Sequence, residues 1–361
     1  MKRLTVHAAS RTYPIVVGRD VLDELGSSVR RLRGDGKTVV VCDDNVAPLY
    51  LERVRRSLSE AGLSASQVIL PAGEHEKTLA RAEELYGVLY DRGVRRSDTI
   101  VALGGGVIGD LTGFVAATFQ RGVGFVQVPT TLLAQVDASV GGKVAVDFRA
   151  GKNYVGTFYQ PSLVLADLRT LETLPERELR CGAAEAAKHG LLAGSEVLRR
   201  VRQLARAPLA ASAVTQELVA GSISYKASVV ERDEREAGLR AVLNFGHTIG
   251  HAIEAATKFR RFSHGEAVGL GVHAALRLSG ELCRLPEADE LAAHQLLDDL
   301  GLPSRLTGVR AAEVCELIGR DKKAGKDGVG YVLLRRTGFP VIGVRVPAEL
   351  ELEVVEWLRK R

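Results

Sequence analysis

Aromatic residues are scarce in this chain, at 5% of 361 residues, with a single tryptophan. That scarcity argues against a platform on which nucleic-acid bases could stack. Neither sign of charge dominates: 49 Lys and Arg stand against 44 Asp and Glu, interspersed along the sequence. A net charge of +5 pulls modestly on small anions and leaves no footprint for a polynucleotide. The four cysteines, Cys42, Cys181, Cys283 and Cys315, lie far apart and form no CxxC pair. This excludes a zinc ribbon or a disulfide framework and predicts a reducing compartment. No uninterrupted apolar run is long enough to span a membrane, and Met1–His7 alternates like a strand instead of forming a signal-peptide core. A cytoplasmic protein with no membrane or nucleic-acid partner is expected.

What is present has the balance of a globular protein, 46% hydrophobic and 26% charged, and enough length for two domains. Residues 1–172 alternate short β-branched runs with amphipathic stretches. Strands are predicted at Thr38–Cys42, Gln67–Leu70, Asp98–Leu103, Gly124–Val128 and Leu163–Ala166, with helices over about 48–61 and 79–92. Strands spaced by helices of this length predict an α/β domain with a Rossmann-like parallel sheet. From residue 173 to 361 the texture turns to Ala-, Leu- and Glu-rich helical periods: 176–205, 213–232, 247–258, 265–283, 287–299 and 311–320. A hairpin at 330–334 and 341–344 is the only strand signal there. A mainly α-helical, metal-binding second domain is expected.

Three patterns carry chemistry. Gly104-Gly105-Gly106-Val107-Ile108-Gly109-Asp110 follows a strand and opens a helix. It suits a diphosphate lying on backbone N–H groups at a helix N-terminus. It departs from the usual fingerprint, since it sits on a late strand and no acidic residue ends the next one. Asp43, Asn45 and Glu74, which follows Gly73, stand at strand ends where ribose hydroxyls could be held; each reads equally as a helix cap. The stretch Pro129–Lys143, rich in small and hydroxyl residues, precedes Gly151-Lys152-Asn153. Lys143, Lys152 and Asn153 suit a phosphate or carboxylate.

The third pattern is histidine. His247 and His251 are four apart, so on a helix they share a face, and His264 follows in Ser263-His264-Gly265-Glu266. Spacing alone allows His247 and His251 to share a metal, or one to bind metal while the other meets substrate. Upstream, Glu185 and Lys188 share a helical face among alanines and glycines. A carboxylate buried there needs a cation, and a metal shared with His247 and His264 would supply one. Two histidines and one glutamate with open positions form a catalytic set.

Taken together, GGGVIGDLTGF, RGVGFVQVPTTLLAQVDASVGGK, GKNYVGTFYQP, GAAEAAKHG, LNFGHTIGHAIE and HGEAVGLG resemble the 3-dehydroquinate synthases, a family of sugar phosphate cyclases, over nearly the whole chain. The resemblance implies conversion of 3-deoxy-D-arabino-heptulosonate 7-phosphate to 3-dehydroquinate and phosphate, the second step of the shikimate pathway. It implies NAD that is used and regenerated in each turnover, and Zn2+ or Co2+. It makes Glu185, His247 and His264 the metal ligands. It assigns to NAD Asp43, Asn45, Gly73, Glu74, Lys77, Gly105, Gly106, Val107, Ile108, Gly109, Asp110, Thr130, Thr131, Leu133, Asp137, Ser139, Lys143, Lys152, Thr170 and Thr173. Lys143, Asn153, Asn244 and His251 match residues that hold the leaving phosphate, and Lys226 and Arg240 a carboxylate clamp. Lys188 and Asp137 match groups at the ring hydroxyls, and Lys322 one more phosphate lysine. Arg121 matches an arginine that reaches a neighbouring subunit's pocket, which implies a homodimer.

One departure is His189, beside Lys188, where the family more often has an uncharged residue; an outward-facing side chain is expected. Other cyclases, such as aminodehydroquinate or inosose synthases, are the nearest alternatives. A polyol dehydrogenase would not need Lys143, Asn153, Lys226 and Arg240, and a non-catalytic NAD sensor would be expected to have lost metal or lysine residues.

Overall fold

The computed structural model describes residues 1–149, 151–206, 213–324 and 330–361, with the backbone alone for residues 195, 213–214 and 320–324. The chain divides into two compact units, residues 1–174 with 226–235, and residues 175–225 with 236–361.

In the first unit the elements run β1 (Lys2–His7), β2 (Thr12–Gly18), α1 (Leu25–Arg33), β3 (Thr38–Asp43), α2 (Glu52–Glu60), β4 (Ala65–Leu70) and α3 (Leu79–Asp91). They continue with β5 (Thr99–Gly104), α4 (Gly106–Thr118), β6 (Gly124–Pro129), β7 (Lys143–Phe148), β8 (Gly151–Phe158) and β9 (Leu163–Asp167). Seven strands form one sheet in the order β1-β2-β9-β6-β5-β3-β4, parallel except for the β1–β2 pair. Strands β5 and β6 are buried along their whole length, which is why they read as apolar runs, broken in β6 only by Gln127. Alternate residues serve opposite faces. Val40, Cys42, Val101, Leu103, Val126 and Val128 pack with Leu25, Val29, Val54 and Leu58 of α1 and α2. Val39, Val41, Ile100, Ala102 and Phe125 pack with Ala82, Leu85, Leu111 and Val115 of α3 and α4. Helix α4 lies so close to the sheet that a Cβ on Gly113 would collide with Val144 and stand 2.9 Å from Phe125.

The second unit carries α5 (Glu176–Ala193), α6 (Ser195–Leu204), most of α7 (Ala213–Arg232), α8 (His247–Ala256), α9 (His264–Cys283), α10 (Glu287–Asp299) and α11 (Ala311–Ala324). The antiparallel hairpin β10 (Tyr331–Arg336) and β11 (Phe339–Val344) and the helix α12 (Ala348–Lys360) complete it. Helix α9 is its axis, with nearly every residue from Gly265 to Leu278 buried. The period expected to run unbroken over 176–205 breaks at Gly194, whose φ is +88°. Helices α1 and α12 and the hairpin β7–β8 are elements that the periodicity did not reveal.

Candidate functional site

In the first unit the assigned residues gather at the carboxyl ends of the parallel strands. Strand β3 has β4 on one side and β5 on the other, so the chain direction switches beside β3, where open α/β sheets take ligands. Strand β5 ends at Gly104; Gly105 is the N-cap of α4. The first N–H groups of that helix, from Gly106 to Ile108, have no acceptor within the helix. A Cβ on Gly106 would meet only Ala138, at 3.7 Å, so no packing demand explains this glycine. Gly109 lies against Gln127 of β6 and holds the helix to the sheet.

Asp43 ends β3, and its carboxylate accepts hydrogen bonds from the N–H groups of Asn45 and Val46, at 3.0 and 2.9 Å. Its side chain therefore shapes the turn, as the cap reading allowed. Burial raises its pKa, and the two N–H groups oppose that. After β4 the chain passes Gly73, with φ +128°, and Glu74 to the buried Lys77. The Lys77 ammonium pairs with Asp110 at 2.5 Å and also donates to Asn153 Oδ1. Burial lifts the Asp110 carboxyl above its ordinary value, although Lys77 pulls it down. Asn153 and Lys152 reach this neighbourhood on the β7–β8 hairpin. Asn153, at φ +55°, donates its N–H to Asp147, and Lys152 lies 3.5 Å from Glu74.

Thr130 N donates to Gly104 O, and Thr131 Oγ1 caps the turn that carries Leu133 and Asp137 by accepting from Ala134 N. Ser139 follows, its hydroxyl buried without a hydrogen-bond partner. Thr170 is committed to Gln135 and to the Asp167 carbonyl, and Thr173 to Tyr50. Lys226 bonds both the carboxylate of Asp137, at 2.9 Å, and its carbonyl, at 2.7 Å. Lys143 opens β7 with its side chain exposed. Arg121 is also exposed, and it and Gln120 hold consecutive left-handed conformations, φ +61° and +49°, rare for residues with side chains.

In the second unit three helices converge. Glu185 lies midway along α5, His247 opens α8 and His264 opens α9. Close approach is built in: a Cβ on Gly265 would strike the Cys181 backbone, and one on Gly271 the Gly246 carbonyl. The donor atoms of Glu185, His247 and His264 lie within 4.8 Å of one another. Each histidine presents Nε2 to Glu185 Oε1 at 3.4 Å, while Lys188 holds Oε2 at 2.5 Å. His247 Nδ1 is 3.2 Å from the Phe245 carbonyl and His264 Nδ1 is 3.1 Å from Glu254. Burial would raise the Glu185 carboxyl, yet Lys188 and His247 hold it well below its usual range. For His264 burial opposes protonation, and Glu185 and Glu254 overcome it, lifting the imidazole to about 9. A divalent cation held by this donor set would compete for the place of that proton.

His251 is exposed beside the trio, its ring 5.1 Å from that of His247 and 5.9 Å from that of His264. Arg240 is buried in the 3-10 turn Leu239–Asn244, and Asn244 donates to Glu236 at 3.2 Å. His189 is buried, not outward-facing: α5 is enclosed on all sides there, and the imidazole tilts against Tyr225 at 5.8 Å. The Lys322 side chain lies outside the described residues. Glu236 and Glu254 did not enter the sequence reading. The signal for Glu254 was available: it stands seven residues after His247 and three after His251, on their face of the helix.

Two family models match this chain, 3-dehydroquinate synthase N-terminal over residues 67–181 and 3-dehydroquinate synthase C-terminal over residues 182–324. A 3-dehydroquinate synthase of Symbiobacterium thermophilum is 47% identical over 91% of this chain and 93% of its own length. A crystal structure of 2-deoxy-scyllo-inosose synthase complexed with carbaglucose-6-phosphate, NAD+ and Co2+ superposes with a TM-score of 0.90 at 27% identity, over 98% of this chain and 99% of that one. A 2-epi-5-epi-valiolone synthase from Streptomyces hygroscopicus, with NAD+ and Zn2+ bound, gives 0.89 at 25%, over 96% and 97%.

Proposed function

The chain belongs to the 3-dehydroquinate synthase family, and from that premise we propose how its residues divide the reaction. The enzyme is a phosphate-eliminating lyase that converts 3-deoxy-D-arabino-heptulosonate 7-phosphate to 3-dehydroquinate and phosphate. Related enzymes hold NAD+ with Co2+ or Zn2+; here NAD would supply a hydride acceptor and donor, and a divalent metal on Glu185, His247 and His264 would supply acidification of the hydroxyl to be oxidised.

The observation that carries the reading is the trio Glu185, His247 and His264, two Nε2 atoms turned on one buried carboxylate oxygen. That donor set fits a catalytic divalent metal, with three protein ligands and room for substrate. For NAD, the vacant N–H groups opening α4, the unobstructed Gly106 and the unpartnered Ser139 hydroxyl fit a diphosphate and its ribose. We assign NAD to residues 1–172 and the metal to 173–361.

Lys143, Asn153, Asn244 and His251 hold the leaving phosphate, with Lys322 as a further contact, and Lys226 and Arg240 take the carboxylate. Lys188 and Asp137 meet the ring hydroxyls. Oxidation makes the neighbouring C–H acidic, and the substrate's own phosphate serves as base for its elimination, so these residues chiefly position it. Arg121, exposed on its left-handed turn, serves the pocket of a second subunit in a homodimer. Among the described residues no helix is long and apolar enough to cross a membrane, and the four cysteines are free thiols, which fits a cytoplasmic enzyme.

The test supplies the heptulosonate phosphate with catalytic NAD and Zn2+ and follows inorganic phosphate and NADH together. Phosphate should appear in proportion to substrate with no net NADH. Accumulating NADH, or no phosphate, would overturn the reading.

A further inference from the structure

The two histidines of the trio are oriented by different partners. His247 Nδ1 faces a neutral carbonyl from its own chain, two residues back, at 3.2 Å. His264 Nδ1 faces a carboxylate, Oε2 of Glu254, at 3.1 Å. Glu254 is buried, 2% exposed, near the end of α8, and the chain then turns and enters α9 at His264 itself. A carboxylate taken this far from water needs a donor. None of the roles assigned above uses it. With an acceptor at Nδ1, the imidazole proton is fixed there and the lone pair is carried by Nε2, the atom 3.4 Å from Glu185. A charged acceptor also makes the imidazole a stronger ligand than a carbonyl does.

We propose that Glu254 is a positioning residue of the metal centre: it fixes the tautomer and direction of His264 and strengthens its hold on a divalent cation. The proposal rests on reading Glu185, His247 and His264 as the ligands. Two other uses of the carboxylate make different predictions. As a ligand of a separate cation with His251 and His264, whose donor atoms also lie within 4.8 Å of one another, it would add a second equivalent of metal. As a mere tie between the ends of α8 and α9, it would affect folding and leave metal affinity alone.

The experiment challenges the zinc-loaded full-length protein with graded chromophoric chelator and measures urea unfolding in parallel. The proteins compared are the wild type, Glu254→Gln, Glu254→Ala and His247→Ala. The wild type should hold one zinc. Glu254→Ala should hold it roughly 10–100-fold more weakly. Glu254→Gln, which keeps an acceptor oxygen and the side chain's volume, should lose less and stay folded even where the alanine variant does not. Zinc affinity of Glu254→Gln within twofold of wild type overturns the proposal, whatever happens to stability. So does a wild type holding two zinc ions of which Glu254→Gln loses one. If the wild type holds no zinc, or His247→Ala holds it as tightly, the reading of the trio itself has failed.

Discussion

The two units build their halves of the chemistry from different material. In the first, the features proposed for the cofactor are mostly main chain: strand ends, a helix N-terminus and a glycine whose missing side chain leaves an approach open. Two side chains assigned there also shape the backbone, Asp43 in its turn and Thr170 under its own. In the second unit the proposed metal site is side chain throughout, a buried carboxylate, a buried lysine and two imidazoles brought from three helices. Main-chain donors are fixed by the fold and cost little to keep dry. Buried charges must be matched one against another, so each depends on its partner's presence. Substitutions should therefore fail in different ways in the two units.

The largest effect is expected at Glu185. Glu185→Gln keeps the volume but removes the charge that faces both imidazoles, and should cost the metal and about 10²–10³-fold in kcat/KM, several kcal/mol of Lewis-acid stabilisation. Metal analysis and kinetics on the folded variant check this; retained zinc with normal turnover would break the contrast. In the first unit, Gly106→Ala should weaken NAD roughly tenfold, about 1.4 kcal/mol, with little change in unfolding midpoint, because a Cβ there has space in the free protein. Gly113→Ala, which collides with Val144, should cost about 1–3 kcal/mol of stability. Equilibrium dialysis of NAD and urea titration of both variants separate cofactor approach from packing.

A smaller effect tests the second unit's buried titratable groups away from the proposed metal site. His273 and His294 meet Nδ1 to Nδ1 at 2.7 Å beneath Arg361. Burial and then the Arg361 charge depress both, His294 to about 4. Folded His294 thus stays neutral where the unfolded chain takes up a proton, so stability should fall as pH drops from about 6.5 toward 4. The slope is at most about 1.4 kcal/mol per pH unit for each proton. His294→Gln should flatten the dependence of the urea midpoint on pH; parallel curves would refute it. Smallest is Glu266→Ala, which removes the acceptor of Ser263 N at the start of α9 and should cost about 1 kcal/mol or less in thermal unfolding.

The same contrast explains what could be read from the sequence. The parallel sheet was legible because β3, β5 and β6, buried on both faces, are almost wholly apolar runs, β6 broken only by Gln127. The hairpin β7–β8 was not, because β8 is exposed along most of its length and carries no alternation, so nothing marked Lys152 and Asn153 as strand residues. In the second unit the helical spacing of His247 and His251 pointed to the candidate site, but spacing treats every histidine on a face alike. The separation of a half-buried His247 from an exposed His251, and the inward turn of His189, depend on neighbours from other helices. Glu254 was overlooked for the same reason, since its partner lies ten residues away across a turn.

The central claim, a hydride taken and given back within one turnover, is tested most directly by isotope. Substrate carrying deuterium at the carbon whose hydroxyl is oxidised is turned over with NAD equimolar to enzyme, and the carbocyclic product is examined by mass spectrometry. The account predicts full retention of the label, one phosphate per product and no free NADH. Loss of the label to solvent, or labelled NADH appearing in solution, would contradict it.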